Sequence, residues 1–473
     1  MIVQSVPELL KALEGVVQVD GNQVSVLDEA ALPQKAELLA WNAVFGEGLV
    51  RDYTRWLLWE LGLAVGILPA SIHDLYMARG RGEVPTNFTV PAMNIRGMTF
   101  NTARAAFRAA TRLNVGALIF EIARSEIGYT DQRPAEYLSV LIAAALAEGW
   151  RGPLFVQGDH FQVSAKGYKN DPEREVNAVK QLIEEAIQAG FYNIDIDTST
   201  LVDLSKPTLD EQQRLNYELC ASLTIFTRSL EPEGVTVSLG GEIGEVGGKN
   251  STPEELDAFM EGYTRTLAAH NADMPGISKI SVQTGTSHGG VVLPDGTLAQ
   301  VKVDFDTLAT LSRRAREKWG IGGAVQHGAS TLPDEAFGKF PECETLEIHL
   351  ATGFQNILYD LAPQDFVAEV YEFIKANFAN EWKEGQTEEQ FLYKTRKKAF
   401  GPLKRQWWEL PADVQATMRE ALEKKFAFLF ERLNVQNTTD LVAQVVKPVV
   451  QHRPAPTSAQ TEADLEIASD LSD

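Results

Sequence analysis

The chain has 473 residues and a formal net charge of −22, which argues against nucleic acid or an anionic membrane surface as partner. On such a chain an anionic substrate needs a local positive centre, such as a metal ion or helix N-termini. Hydrophobic content of 44% with 9% aromatics supports a sizeable core, and the length reads as a large α/β domain with additions, or as two domains. Cys220 and Cys343 are the only cysteines and lie far apart, which excludes a disulfide framework and a thiolate zinc site.

Taken in order, the N-terminus lacks a basic segment followed by an apolar one, so no signal peptide is expected and the predicted location is the cytoplasm. Residues 1–85 read as a helical extension, with apolar residues at three- and four-residue spacing over 8–13, 31–45 and 52–63. The run from Trp56 to Ala70 is too short to span a bilayer and carries Glu60, so it reads as a buried amphipathic helix.

From Asn87 the rhythm changes. Short β-rich runs at 88–93, 116–122, 154–157, 193–196, 235–239, 278–283, 323–326 and 345–348 alternate with helical stretches such as 102–111, 135–147, 172–189, 210–228, 253–269 and 304–318. Eight strand–helix alternations predict a (β/α)8 TIM barrel over 86–362. An open doubly wound sheet is the alternative, but no GxGxxG opens a helix after the first strand. Residues 363–452 read as a C-terminal helical extension with helices at 366–378, 388–398 and 412–432, and Trp407 and Trp408 are placed to pack it onto the barrel. The tail at 453–473 is Pro/Ser/Thr/Ala-rich, then acidic, and is expected to be disordered.

The polar residues gather where barrel strands should end. The third strand ends in Asp159-His160, the fourth in Asp195-Ile196-Asp197 and the fifth in Gly240-Gly241-Glu242. The sixth leads to His288-Gly289-Gly290 and the seventh to His327-Gly328-Ala329-Ser330. Three of the seven histidines therefore stand at one predicted mouth, together with carboxylates. That is ligand chemistry for a borderline divalent ion, zinc before magnesium. Small residues after the late strands would let backbone N–H groups close on phosphate oxygens, although ordinary tight turns read the same way.

The set Val90-Pro91-Ala92-Met93-Asn94, Gly158-Asp159-His160, Asp197-Thr198-Ser199, Gly241-Glu242-Ile243-Gly244 with Gly247-Gly248, Gly285-Thr286-Ser287-His288-Gly289 and His327-Gly328-Ala329-Ser330 resembles the class II, metal-dependent fructose/tagatose-bisphosphate aldolases. The resemblance spans 86–362 and leaves both extensions outside it. It implies one catalytic Zn2+ per chain held by His160, His288 and His327, with Glu242 as an alternative ligand and Asp197 near the metal's second position. It implies Asp159 as the acid/base, and Asn94, Gly289, Gly328, Ala329, Ser330, His349 and Thr352 at the substrate. Zinc would polarise the ketose carbonyl and stabilise the enediolate left when the C–C bond breaks. The implied partner is a phosphorylated sugar, and a homo-oligomer is expected.

The chain departs from the pattern at several points. Gln157 replaces a histidine two positions before Asp159, and Lys249-Asn250 replace acidic residues after the fifth strand. Glu347-Ile348-His349 stands where Lys-Ile-Asn is usual, and Ala123 with Arg124 and Ser125 stands where a phosphate-binding hydroxyl is expected. A metal set that is kept beside altered substrate positions suggests a divergent aldolase. A non-catalytic aldolase-like subunit is the second reading. A metal hydrolase on the same barrel ranks last, because Asn94 stands where a His-x-His would end the first strand.

Overall fold

The computed structural model describes residues 2–244, 249–285, 293 and 302–457. Its centre is a closed parallel barrel of eight strands: β1 Val90–Asn94, β2 Ile119–Ala123, β3 Gly152–Gln162, β4 Asn193–Asp197, β5 Ser238–Glu242, β6 Lys279–Val282, β7 Ala324–Gln326 and β8 Glu347–Leu350. Each strand pairs with its neighbours in chain order, and β8 pairs back onto β1 with Glu347 beside Val90. The fold is a (β/α)8 TIM barrel, as the strand–helix alternation predicts. All eight predicted runs become barrel strands, most displaced by two residues or so at one end. The barrel helices begin where N-caps allow. Thr252 and Glu255 form a reciprocal capping box ahead of Pro253–His270, and Asp171 caps Pro172–Ala189.

The N-terminal extension departs from an all-helical reading in two places. Val17–Asp20 and Gln23–Val26 form an antiparallel hairpin, and Ile67–Ala70 adds a short parallel strand to the start of β3. The helix Gly48–Val65 cannot continue into that strand, because Gly66 takes a left-handed backbone with φ 86 and ends it. The next helix, His73–Gly80, then covers the amino-terminal end of the barrel. From it Tyr76, fully buried, donates its hydroxyl to Glu347, and Arg79 donates to the carbonyls of Phe88, Glu344 and Thr345.

The C-terminal helices close over the other side. Ala412–Arg432 packs along the first barrel helix, Thr99–Leu113. Trp408 meets Phe100 on that helix as well as Trp41 and Phe45 of the N-terminal extension, whereas Trp407 packs against Tyr359, Phe366 and Phe400. The start of the segment expected to be disordered is docked instead. The Arg453 guanidinium lies 3.3 Å from the centre of the Trp59 ring, its backbone N–H donates to Glu60, and Ala455 N–H donates to Asn22. Local composition reads as disordered, but Trp56 and Trp59 donate their indole N–H groups to the carbonyls of Arg453 and Gln451 and hold the strap down. Residues 458–473 lie outside the described residues. Among the described residues no helix is long and apolar enough to cross a membrane.

Candidate active site at the carboxyl end of the barrel

A regular strand would send Asp159 and His160 to opposite faces. Here the β3–β4 pairing shifts register between Gly158 and Phe161, and His160 adopts φ 42 within that bulge. The extra residue turns both side chains toward the barrel mouth, a common use of bulges beside active sites. Gly158 is required, since a Cβ there would lie 2.4 Å from the Phe161 ring.

Around the bulge lies a donor set. One ligand atom each from His160, Glu242 and His327 falls within a mutual 4.8 Å. His160 Nδ1 is 3.4 Å from Glu242 Oε2, and the His160 and His327 ring centres are 4.2 Å apart. Two imidazoles and a carboxylate are the side chains that a zinc-like ion selects, and these residues fit such an ion. His288, Gly289 and Glu245 lie outside the described residues. Asp197, expected near a second metal position, joins no donor group among the described residues. Its Oδ2 lies 2.9 Å from His160 Nδ1 and accepts from Gln162, while its Oδ1 accepts from Ser199. That is the carboxylate–imidazole contact that orients a ligand histidine from outside.

Asp159 is held on both oxygens. Asn94 Nδ2 donates to Oδ2 at 2.8 Å, and His349 Nδ1 lies 3.1 Å from Oδ1. Burial pushes the Asp159 pKa up, but His160 and His349 outweigh it and hold the group well below the ordinary carboxylate range. For His349 burial acts against charge, and the carboxylates of Glu121 and Asp159 overcome it, so the imidazole pKa is raised. Glu242 is raised by burial and by Asp197.

Asn94, Asp159, His160, His327, Gly328, Ser330, His349 and Thr352 all line one cavity of about 690 Å³. Ala329, expected beside them, is fully buried in the first turn after β7 and does not line it. Ser330 Oγ accepts from Ala351 N at 2.5 Å, and Thr352 Oγ1 lies 3.4 Å from Arg96 Nη1. The opposite wall was not legible from the motifs. Arg96 comes from the loop after β1 and Tyr129 from the short helix Arg124–Thr130 after β2, whereas Tyr393, Lys394 and Lys397 come from the C-terminal extension. Arg124 is tied down by Glu175 at 2.6 Å and Arg96 by Glu126 at 2.6 Å. Lys394 and Lys397 have no carboxylate within 4 Å among the described residues, and Lys397 rests over the Tyr129 ring.

Beneath the mouth the barrel interior is ionic rather than aliphatic. Lys279 on β6 reaches Gln157 on β3, Asp195 on β4 and Glu347 on β8, and Glu121 on β2 joins through Gln157. Gly240 makes room, because a Cβ there would lie 2.3 Å from Asp195 Oδ1 and 3.0 Å from Lys279 Cε. The signal in the sequence was a Lys and a Glu inside runs otherwise composed for a core.

A closed barrel with histidines, carboxylates and a deep cavity at its carboxyl end defines a TIM-barrel enzyme with a candidate metal site. The model of the class II fructose-bisphosphate aldolases matches residues 85–433, and the chain belongs to that family. The match runs beyond the barrel into the C-terminal helices as far as residue 433, a region outside the motif resemblance. Membership supports a lyase of aldolase type, from a family that is generally metal-dependent and acts on phosphorylated sugars.

Solved structures resemble it at low identity. A chain described as a probable tagatose 6 phosphate kinase from Sinorhizobium meliloti 1021 aligns at 17% identity and a TM-score of 0.50, over 80% of this chain and 98% of that one. The YdjI aldolase of Escherichia coli K12 aligns at 13% identity and 0.47, over 78% and 99%. Fructose-bisphosphate aldolase of Campylobacter jejuni aligns at 18% identity and 0.45, over 80% and 95%.

Proposed function

We propose that this chain is a zinc-dependent aldolase that cleaves or forms the C–C bond of a phosphorylated ketose, with Asp159 as acid/base. The observation that carries the reading is the β3 bulge, which delivers a carboxylate and an imidazole to one mouth beside Glu242 and His327. His160, His327 and Glu242, with His288, would hold the ion. A divalent ion there supplies Lewis acidity to the ketose carbonyl.

The chain's own residues do the rest. In cleavage Asp159 accepts the proton of the hydroxyl on the carbon that becomes the aldehyde. The bond to the neighbouring carbon breaks, and its electron pair stays with the ketone half. In condensation the same carboxyl returns the proton. Asn94 fixes one Asp159 oxygen, which costs the carboxylate rotational freedom in advance. Gly328, Ser330 and Thr352 form one polar side of the cavity, suited to a phosphate, and Lys394 and Lys397 supply positive charge on the other.

Asp159→Asn tests the reading. It keeps size and a polar tip while removing the proton acceptor. Zinc content and ketose phosphate binding should persist, and cleavage should fall by about 10²–10⁴-fold. Cleavage within a few-fold of wild type would place the base elsewhere, with Asp197, or Glu245 three residues past Glu242 in the sequence, next in line. The reading of a non-catalytic subunit requires that no ketose mono- or bisphosphate is cleaved by the metal-loaded wild type.

A further inference from the structure

Three positions at which the sequence departs from the aldolase pattern, Gln157, Glu347 and His349, are joined to one another in the barrel interior. His349 Nε2 lies 2.7 Å from Glu347 Oε1, and Gln157 Nε2 donates to that same oxygen at 3.1 Å and to Glu121 Oε2 at 2.7 Å. Lys279 Nζ reaches Glu347 Oε1 at 2.5 Å and Gln157 Oε1 at 2.7 Å. The Tyr76 hydroxyl donates to the other oxygen of Glu347. On its upper side His349 Nδ1 faces Asp159 Oδ1 and Glu121 Oε1, each at 3.1 Å. His349, Glu347, Glu121, Gln157 and Lys279 are all buried.

We propose that His349 is a positioning residue that sets the orientation of Asp159, and that Glu347, Gln157, Lys279 and Tyr76 form the scaffold that holds His349 in place. The proposal rests on Asp159 being the acid/base of the reaction. A lone Asp at a strand end has two rotatable bonds and, when buried, several polar neighbours to choose among. Asn94 secures Oδ2 and His349 secures Oδ1, so the carboxylate plane is fixed by contacts from β1 and β8 at once.

A histidine can do this only if its ring is itself fixed. Glu347 lies two residues earlier on the same strand, so it faces the same interior side and meets the far ring nitrogen. Glu347 would be a costly buried charge by itself, and Lys279 from β6 neutralises it. Lysine at position 347 would place an ammonium against Nε2 where an acceptor is needed, so the glutamate, the lysine on β6 and the histidine form one unit. Tyr76 extends that unit to the N-terminal extension, whose helix thereby touches the chemistry through Glu347 although it lies at the opposite end of the barrel.

The test compares His349→Asn, His349→Gln and Glu347→Gln with wild type in the full-length, zinc-loaded protein. A positioning role predicts a kcat lower by on the order of ten- to a hundred-fold in His349→Asn, with KM within about two-fold and zinc content unchanged. His349→Gln, whose longer side chain can still bring an amide N–H to Asp159 where the shorter Asn falls back, should recover part of the loss. Glu347→Gln should lower kcat in the same direction, and combining it with His349→Asn should add nothing further. Loss of zinc would make His349 a ligand, and a raised KM at constant kcat would make it a substrate contact. A lower melting temperature with unchanged kinetics would leave it structural, and each of these three results overturns the proposal. Should wild type cleave no ketose phosphate, the aldolase reading fails, and a crystal structure of His349→Asn decides the positioning by itself. Asp159 turned away from Asn94 supports it, and Asp159 unmoved refutes it.

Discussion

The ammonium of Lys279 lies 2.5 Å from Oε1 of Glu347, and neither side chain is exposed at all. The pair joins the first residue of β6 to the first residue of β8, and Asp195 Oδ1 stands 2.9 Å from the same ammonium. Burial opposes ionisation of Glu347, and Lys279 outweighs it and draws the carboxyl down to about 2.

Removing one partner of such a pair leaves uncompensated charge in the barrel. Lys279→Met should therefore destabilise the fold by about 3–5 kcal/mol, read from denaturant unfolding. Adding Glu347→Gln should recover part of that loss, because the stranded carboxylate is then neutral. Equal stability of Lys279→Met and wild type would show that the interior is hydrated.

The metal reading gives a second expectation. Purified protein should carry about one zinc-like ion per chain, and His327→Ala should lose it while remaining folded. Asp197→Asn removes the charged partner of His160 without touching a donor atom, and should weaken metal affinity by about 10–100-fold. Metal analysis that finds wild-type content in His327→Ala removes the assignment.

Lys394 and Lys397 offer a third. On a chain of net charge −22, two lysines without a carboxylate partner among the described residues face the cavity from the C-terminal extension. Burial and the neighbouring Arg96 lower the Lys397 pKa. Lys397→Met should raise KM several-fold for a ketose bisphosphate and much less for the 1-phosphate of the same sugar. Equal effects on both substrates would mean that the lysine does not meet the distal phosphate.

The strap gives a fourth. Truncation after Thr457 leaves every contact of Arg453 and Ala455 in place and should not move the melting temperature. Truncation after His452 removes the Arg453–Trp59 stacking and the hydrogen bonds to Glu60 and Asn22. It should lower the melting temperature by a few degrees, given about 0.5–2 kcal/mol for the cation–π contact and roughly 1 kcal/mol per hydrogen bond. Identical scans for both truncations would show that the strap contributes nothing in solution.

The barrel was legible because it repeats. Each strand is a short β-rich run bounded by turn residues, and each intervening helix has apolar residues at helical spacing, so eight copies of one weak signal reinforce one another. The four-residue strand Ile67–Ala70 was not legible, because it follows an amphipathic helix without a change of composition, and only Gly66 marks the break. The docking of Arg453 was hidden for a different reason. Its partners Trp59 and Glu60 lie almost 400 residues away in the chain.

At the site, residue types alone marked the histidines at 160, 288 and 327, with carboxylates beside them, as metal-ligand chemistry, whereas the roles of Asp159 as base and Glu242 as ligand came from the family resemblance. The sequence by itself thus determined the barrel, the family and the chemistry available at its mouth. The tertiary structure decided what each group faces. Only the bulge at Gly158–Phe161 turns two adjacent side chains to one side, and only barrel closure brings β8 beside β1, so that His349 and Asn94 can grip the same carboxylate. Local sequence carries periodicity and residue chemistry, whereas the contacts of Lys279, Glu347 and His349 depend on strands more than 60 residues apart meeting in a closed ring.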